Sequence, residues 1–366
     1  MTGPRATVRA VAALAGVAPS TASLILRGEG RFAVETVERV LATAESLGYE
    51  GPAGPARRLA VGNTNVAAVV TFGSIATTLQ DAHSLGVIRG LHSTLAEHGV
   101  ALMLLPAIDS PGFAEMLATT PVDIVFVLSS FHDIAQVRQI TAQRGIALAY
   151  LESSGPEAPP PMIHVDDLTP MRALAVHLKD LGHVHVATVT MRYSTFSVSG
   201  LVAPMPLNEI ANPVTRGRLQ GLHEGGLVPT YIFQTARAAR EEAIEAVDVL
   251  MRMDPRPTAI VCQTDALAEG VMEGLKERGF DVPADVSVTG YDGNHIPSLA
   301  PQRLTTVVQD AVRKGALFAH VGLALRAGEE TSSVPFATHF VVGTTTGPAP
   351  RDRDGGTRAS LSVGHP

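Results

Sequence analysis

Thr7-Val8-Arg9-Ala10-Val11-Ala12-Ala13-Leu14-Ala15-Gly16-Val17-Ala18-Pro19-Ser20-Thr21-Ala22-Ser23-Leu24-Ile25-Leu26 is the stretch on which the fold turns. Val8, Val11, Ala12 and Ala15 recur at helical spacing, which predicts a first helix over about residues 7–14 with Thr7 as its N-cap. Gly16, tolerant of positive φ, breaks it. Pro19 suits the first turn of a second helix, where no N–H is needed, and Ala22, Ile25 and Leu26 supply its buried stripe. A third helix is expected from about Val34 to Leu47, with Val34, Val37, Val40, Leu41, Ala44 and Leu47 on one face, Glu35 and Arg39 as an i,i+4 pair, and Gly48 ending it. Two short helices around a glycine turn, buried by a third, make a helix-turn-helix unit. Such bundles also serve as protein docking modules, but the side chains favour DNA. Ser20, Thr21 and Ser23 let the second helix approach base edges, and Arg27 and Arg31 lie just past it to meet phosphates.

The charge points the same way. Residues 1–62 hold seven Arg and five Glu, a balance of +2, in a chain of 366 residues whose formal net charge is −7; the other 304 residues carry about −9. A positive head on an acidic body suits an anionic polymer. At roughly 150 residues per domain, the length predicts two to three folded units. A content of 45% hydrophobic and 17% charged residues is ordinary for a globular chain with a sizeable core. No apolar run reaches the roughly 18 to 20 residues that span a bilayer, so no membrane partner is expected. Arg9 and Gly16 interrupt what would otherwise pass for a leader peptide. A single cysteine, Cys262, excludes an internal disulfide framework and a Cys-rich zinc site, and it fits a reducing cytoplasm.

The pattern Thr7-Val8-x-x-Val11-Ala12-x-x-Ala15-Gly16-Val17-x-x-x-Thr21-x-Ser23-x-Ile25-Leu26 resembles the head of the LacI/GalR family of bacterial transcription regulators. The resemblance continues through Leu47-Gly48-Tyr49 and Pro52-x-x-x-Ala56-Arg57-x-Leu59. It implies a repressor that binds double-stranded operator DNA as a homodimer. Contacts are expected from Thr7, Pro19, Ser20, Thr21, Ser23, Leu24, Arg27, Arg31 and Thr36 in a head of residues 1–50, and from Arg57 and Leu59 in a hinge of residues 51–63. Leu59 matches the leucine that the family's hinge helix pushes into the minor groove. Such a wedge costs a few kcal/mol of unstacking, offset by the contacts a bent duplex permits. Pro52-Ala53-Gly54-Pro55-Ala56 also fits a plain flexible linker. The head departs from the family where Ala10 replaces an acidic residue, Ala18 a capping Ser, Leu24 an Arg and Arg27 an Asn, while Ala53 replaces the usual hinge Asn. Strong bidentate bonds to bases are thereby missing, so base reading is expected to lean on methyl contacts, duplex shape and the hinge.

From residue 66 the pattern changes. Val66–Phe72, Val100–Leu105, Val122–Leu128 and Ile146–Leu151 read as buried parallel strands, separated by helices near 83–98, 111–118 and 132–144. The alternation repeats with strands Val184–Thr190, Thr230–Phe233, Thr258–Cys262 and Val286–Thr289, among helices 167–181, 216–225, 237–252 and 265–278. The expected fold class is α/β: a three-helix head on a bilobed body of two doubly wound parallel sheets, similar to the periplasmic binding proteins whose fold this family shares. One lobe is expected from 64–163 with 292–322, the other from 164–291 with 323–346. Gly347–Pro366, rich in Gly, Arg, Asp and Pro, is expected to be a disordered tail. Arg192–Pro213 and the proline run at 156–161 have no assigned role beyond covering the cleft or extending a dimer contact, and stiffening a crossover.

Bilobed bodies bind a small ligand between the lobes, at the C-terminal ends of the strands, and close around it. Phe72 and Ser74, at the end of the first strand, are expected to face that crevice. Arg216-Gly217-Arg218-Leu219-Gln220-Gly221 resembles the family's Arg-x-x-Gly helix start, which implies that Arg218 grips the ligand; a guanidinium offers fixed donors to sugar hydroxyls or a carboxylate. Val288-Thr289-Gly290-Tyr291-Asp292 resembles the family's Gly-Tyr-Asp, which implies that Asp292 accepts from ligand hydroxyls. At Thr264-Asp265, Asp265 is expected to cap the next helix and Thr264 to face the ligand. The commonest effectors in the family are sugars, with nucleobases and protein coregulators as alternatives. No enzyme chemistry is expected: a nucleophile elbow, a P-loop, a zinc-protease His pair and a dinucleotide fingerprint are all missing. His183-x-His185 lacks a third ligand, so neither a metal nor another cofactor is expected. A transport-linked solute receptor of the same bilobed fold is the competing assignment, and it leaves the head unexplained.

Overall fold

The computed structural model describes residues 7–27, 30, 32–47, 49, 64–71, 75–128, 134–151, 162–194 and 198–350. The chain divides into two compact units, residues 1–67 with 119–123 and residues 68–118 with 124–366.

The first unit holds α1 (Val8–Ala15), α2 (Pro19–Arg27) and α3 (Val34–Ser46). Thr7 caps α1, accepting from the N–H of Ala10 at 3.2 Å, and Gly16 ends it at φ 66°. The chain then turns through 107° into α2, inside the range of helix-turn-helix units. Val11, Ala12, Ala15, Ala22, Ile25, Val40 and Ala44 form a shared core. Two expectations need correction. Arg39 donates through Nε to the carbonyl of Ala15 at 3.0 Å, tying α3 to the end of α1 instead of pairing with Glu35. Val34, Leu41 and Leu47 are exposed, so the buried stripe of α3 is narrower than its apolar pattern, because two short helices cover only part of its surface.

From Val66 onward the chain is built on two sheets. One comprises β1 (Val66–Thr71), β2 (Ala101–Leu104), β3 (Ile124–Leu128), β4 (Ala147–Leu151), β5 (Met162–Val165) and β12 (Val334–Phe336), in the order β12-β5-β4-β3-β1-β2. The other comprises β6 (Val186–Thr190), β7 (Gly200–Val202), β8 (Tyr231–Gln234), β9 (Ala259–Cys262), β10 (Ser287–Asp292), β11 (Thr305–Val308) and β13 (His339–Val341), in the order β13-β11-β10-β9-β6-β8-β7. β6, β8, β9, β10 and β11 run parallel, and the edge strands β7 and β13 pair antiparallel. The helices are α4 (Ile75–Gln80), α5 (Ala82–Glu97), α6 (Phe113–Thr119), α7 (Ala135–Arg144), α8 (Leu168–Asp180), α9 (Pro213–Glu224), α10 (Arg240–Leu250), α11 (Asp265–Glu277) and α12 (Ala311–Arg326). Val125, Phe126, Val186, Val189, Ile260 and Val288 are buried, as central strands covered on both faces require. β2 departs from its expected burial: it is an edge strand, and Met103 and Leu104 are exposed.

The chain passes between the sheets three times, at 166–167, 309–310 and 337–338. The expected lobe boundaries therefore shift. Thr305–Val308 belongs to the second sheet, not the first, because it pairs with β10; Val334–Phe336 belongs to the first, because it pairs with β5. The expected tail shifts too. Gly347 accepts from His183 Nε2 at 3.0 Å and the N–H of Ala349 donates to the carbonyl of Leu181 at 2.8 Å, so residues 347–350 are part of the second lobe; 351–366 lie outside the described residues. Within Arg192–Pro213, Gln234 organises the segment. Its Oε1 accepts from the N–H of Tyr193 (3.2 Å) and of Ser194 (2.9 Å), its Nε2 donates to the carbonyl of Val198 (2.7 Å), and β7 follows as an added edge strand.

Candidate ligand cleft

In parallel sheets the residues just past the strand ends face the crevice between lobes, and here those positions are strongly polar. α9 starts at Asn212, whose side-chain oxygen accepts from the N–H groups of Val214 (2.9 Å) and Thr215 (3.4 Å), with Pro213 in the first turn. That start delivers Arg218 to the ends of β9 and β10. Its Nε donates to Asp167 Oδ1 at 3.1 Å, its Nη1 donates to the carbonyl of Gln263, and its guanidinium carbon stacks 3.5 Å from the centre of the Tyr291 ring. Arg218 is 3% exposed. A buried guanidinium needs this much compensation: one carboxylate, one carbonyl and an aromatic face. Burial, and then the nearby Asp167 charge, push the Tyr291 hydroxyl well above the usual phenol range.

Two buried carboxylates sit beside it. Thr264 caps α11, accepting from the N–H of Leu267 at 3.1 Å, while Asp265 accepts from Thr306 Oγ1 (2.6 Å) and from the N–H of Asn294 (2.6 Å). The cap is therefore Thr264 and not Asp265. Thr264 is the residue with extended backbone at the helix start, which is where a cap must sit, and Asp265 is the buried acid. Burial pushes the Asp265 carboxyl up to about 7 against the opposing hydrogen bonds from Thr306, Asn294 and Gly293. Asp292 ends β10 at φ 126°, a costly conformation for a side chain other than glycine, and it is buried. Burial, then repulsion from Asp265, raises its carboxyl well above the usual range.

Asp292 reaches the other lobe through a relay. Gln309 Nε2 donates to Asp292 Oδ1 at 2.6 Å, and Lys314 Nζ on α12 donates to Gln309 Oε1 at 2.9 Å. Lys314 Nζ also lies 3.3 Å from His83 Nε2 on α5. Burial, then the charges of Lys314 and Arg218, hold the His83 ring well below the usual imidazole range, so it is neutral near pH 7. Asp167, Gln263, Gln309, Lys314 and His83 were not singled out from sequence; Gln309 and Lys314 follow β11, a strand whose apolar run, Thr305–Val308, is short and half threonine. Phe72 and Ser74 lie outside the described residues. No group of three or more metal-ligating side chains occurs among the described residues.

Residues 7–51 match the model of the bacterial regulatory proteins of the lacI family, and residues 175–346 match that of the periplasmic binding protein-like domain. The chain belongs to the LacI family. It is 28% identical to the HTH-type transcriptional regulator Rv3575c of Mycobacterium tuberculosis over 356 residues, 94% of this chain and 98% of the relative. It is 29% identical to the regulator IpsA of Corynebacterium glutamicum over 322 residues (84% and 88%), and 27% identical to the repressor PurR of Mannheimia succiniciproducens over 325 residues (85% and 89%). A solved structure of the lac repressor dimer bound to operator and the anti-inducer ONPF shares the fold, with a TM-score of 0.69 at 21% identity, covering 94% of this chain and 100% of that one. The protein is thus a LacI-family transcriptional regulator with a DNA-binding and an effector-binding domain, and not an enzyme. A solute receptor would leave the match over residues 7–51 without a purpose.

In the LacI-type head, Pro19 and Ser20 are exposed at the start of α2, and Thr21, Ser23 and Leu24 are half-buried along it. Thr36 is half-buried in the first turn of α3, and the Thr7 hydroxyl is engaged as a cap. The side chain of Arg27 and residues Arg31, Arg57 and Leu59 lie outside the described residues.

Proposed function

We propose that the protein is a cytoplasmic repressor, acting as a homodimer, whose affinity for operator DNA is set by a small hydroxylated ligand, a sugar or related polyol, held between its two lobes. The observation that carries the ligand class is the make-up of the cleft: buried Arg218 and the buried acids Asp265 and Asp292 stand at the ends of neighbouring strands. Hydroxyls both donate and accept, so they satisfy acids and guanidinium together. Solved neighbours of this fold hold cellobiose and ribose, which supports the class. A nucleobase is the second candidate, favoured by the relatives named PurR.

On the DNA side, two heads would enter successive major grooves with centres roughly 34 Å apart. Pro19, Ser20 and Leu24 of α2 would meet base edges, and Arg27, Arg31 and Arg57 would meet phosphates. The test combines a thermal-shift panel of pentoses, hexoses, disaccharides, cyclitols and purines with operator gel shifts on the full chain. A polyol is expected to raise the Tm and to change operator affinity, and Arg218→Ala is expected to abolish both responses. A purine hit with no polyol hit reverses the ligand class, and a hit untouched by Arg218→Ala relocates the site.

A further inference from the structure

Four side chains from the two lobes form a ring with one open link. Asp292 accepts from Gln309, Gln309 accepts from Lys314, and Lys314 contacts His83 Nε2. His83 Nδ1 then stands 3.9 Å from Asp292 Oδ1, beyond hydrogen-bond range. The first three links fix proton positions. An ammonium carries only donors, so His83 Nε2 must be the acceptor of that contact, and the proton of the neutral ring is on Nδ1. That Nδ1 is buried and makes no hydrogen bond among the described residues. A buried donor without an acceptor, facing a buried acceptor across a gap too wide for direct contact, is a place for an atom that does both. An oxygen about 2.8 Å from each group would bridge that span once the lobes open to admit it, since Nδ1 has no accessible surface in the present conformation.

We propose that His83 is a specificity-determining residue of the cleft: a ligand hydroxyl accepts from His83 Nδ1–H, donates to Asp292, and so joins the two lobes. Lys314 is a positioning residue, which holds His83 in the Nδ1–H tautomer. This rests on the ligand class proposed above and adds a requirement to it, namely a free hydroxyl at one position of the ligand. A ligand with an ether, a hydrogen or a bare acceptor at that position leaves one side of the gap unsatisfied.

The probe is the polyol giving the largest thermal shift in the panel, with each of its monodeoxy derivatives, measured by calorimetry on the full chain. One derivative is expected to bind wild type at least tenfold more weakly than the parent. His83→Phe, which keeps the ring shape without the donor, should weaken the parent by a similar factor and leave that derivative unchanged. His83→Asn, whose amide N–H replaces Nδ1–H, should recover part of the loss. Independently of ligand, ring ¹⁵N shifts should show the proton of His83 on Nδ1 in wild type and a shift toward Nε2 in Lys314→Met. Equal losses for parent and derivative in His83→Phe, or a wild-type Nε2–H tautomer, overturn the proposal while leaving the polyol class standing. A panel in which no polyol binds overturns both.

Discussion

Arg218 is held between Asp167 and the Gln263 carbonyl with almost no exposed surface, so its removal strands a partly buried carboxylate. Breaking one side of such a pair costs about 3–5 kcal/mol, whereas replacing both sides by neutral groups of similar size costs far less. Arg218→Met should therefore lower stability to urea by about that amount, and Arg218→Met with Asp167→Asn should regain most of it. Equal stability of the two variants would mean that Asp167 does not depend on Arg218. Asp265 gives the opposite kind of signal. Its folded pKa of about 7 lies above the ordinary carboxylate value of 3.8, so between these pH values the folded chain binds a proton that the unfolded chain has lost. Stability should fall as pH rises through that window, by at most about 1.4 kcal/mol per pH unit for one group, and the slope should flatten in Asp265→Asn. The Asp292 carboxyl beside it is raised in the same direction, so the pair titrates together and the slope belongs to both. Urea midpoints between pH 4.5 and 7.5 measure it. At this scale the sequence shows which positions bear chemistry but not which partner each one takes. Arg218 and Asp292 stand out by their resemblance to the family's Arg-x-x-Gly and Gly-Tyr-Asp, while which of Thr264 and Asp265 caps α11 depends on where that helix begins, a boundary that one residue decides.

α5 and α12 meet through two glycines. A methyl group on Gly90 would collide with the carbonyl of Val312, and one on Gly315 with the carbonyl of Val87. Alanine normally favours a helix over glycine by about 1 kcal/mol. Here the sign should reverse: Gly90→Ala should lower the Tm by several degrees, and a gain in Tm would show that the two helices have room to move apart. His183 is a second element-scale tie. Nε2 donates to the carbonyl of Gly347 (3.0 Å) and lies 3.0 Å from Ser287 Oγ, so Nδ1 is left to accept from Thr258 Oγ1 (2.9 Å). One ring thus holds the start of β10, the approach to β9 and the segment after Thr346. His183→Ala should cost about 1–3 kcal/mol in urea denaturation, with residues 347–350 becoming protease-sensitive. Unchanged proteolysis would place the anchor of that segment elsewhere. The same elements show what periodicity conveys. α1 to α3, and the β-α alternation from β1 to β10, follow from apolar spacing and glycine punctuation. α12 does not. It packs against α5 on one side and β3, β4 and β5 on another, so its sequence lacks a broad polar face, and its one buried charge, Lys314, interrupts the apolar pattern. β5, β12 and β13 are three or four residues long, too short to show a period.

Across the whole molecule, charge divides the labour. The first 62 residues carry +2 and the rest about −9, so a duplex attracts the head and repels the body. Binding should therefore depend on a few phosphate contacts from the head and hinge, whose counterions are released on association. With six to ten such contacts in the proposed dimer, affinity should drop about 10³- to 10⁵-fold between 50 and 200 mM salt. Arg27→Ala should weaken binding to operator and random duplex alike and reduce the salt slope by about 1 to 2 in the dimer, since each protomer loses one contact. Leu24→Arg should instead change the order of preference among operator sequences, because it puts a bidentate donor where the wild type offers only an apolar side chain. Ligand in the cleft enters as a separate factor. A coupling of about 1–3 kcal/mol would change operator affinity roughly 5- to 150-fold, and linkage requires operator to change ligand affinity by the same factor. Calorimetric titration of the ligand into free and operator-bound protein tests that equality at one salt concentration. If neither factor departs from one, occupancy of the cleft and binding of operator are independent, and the ligand exerts no control over the head.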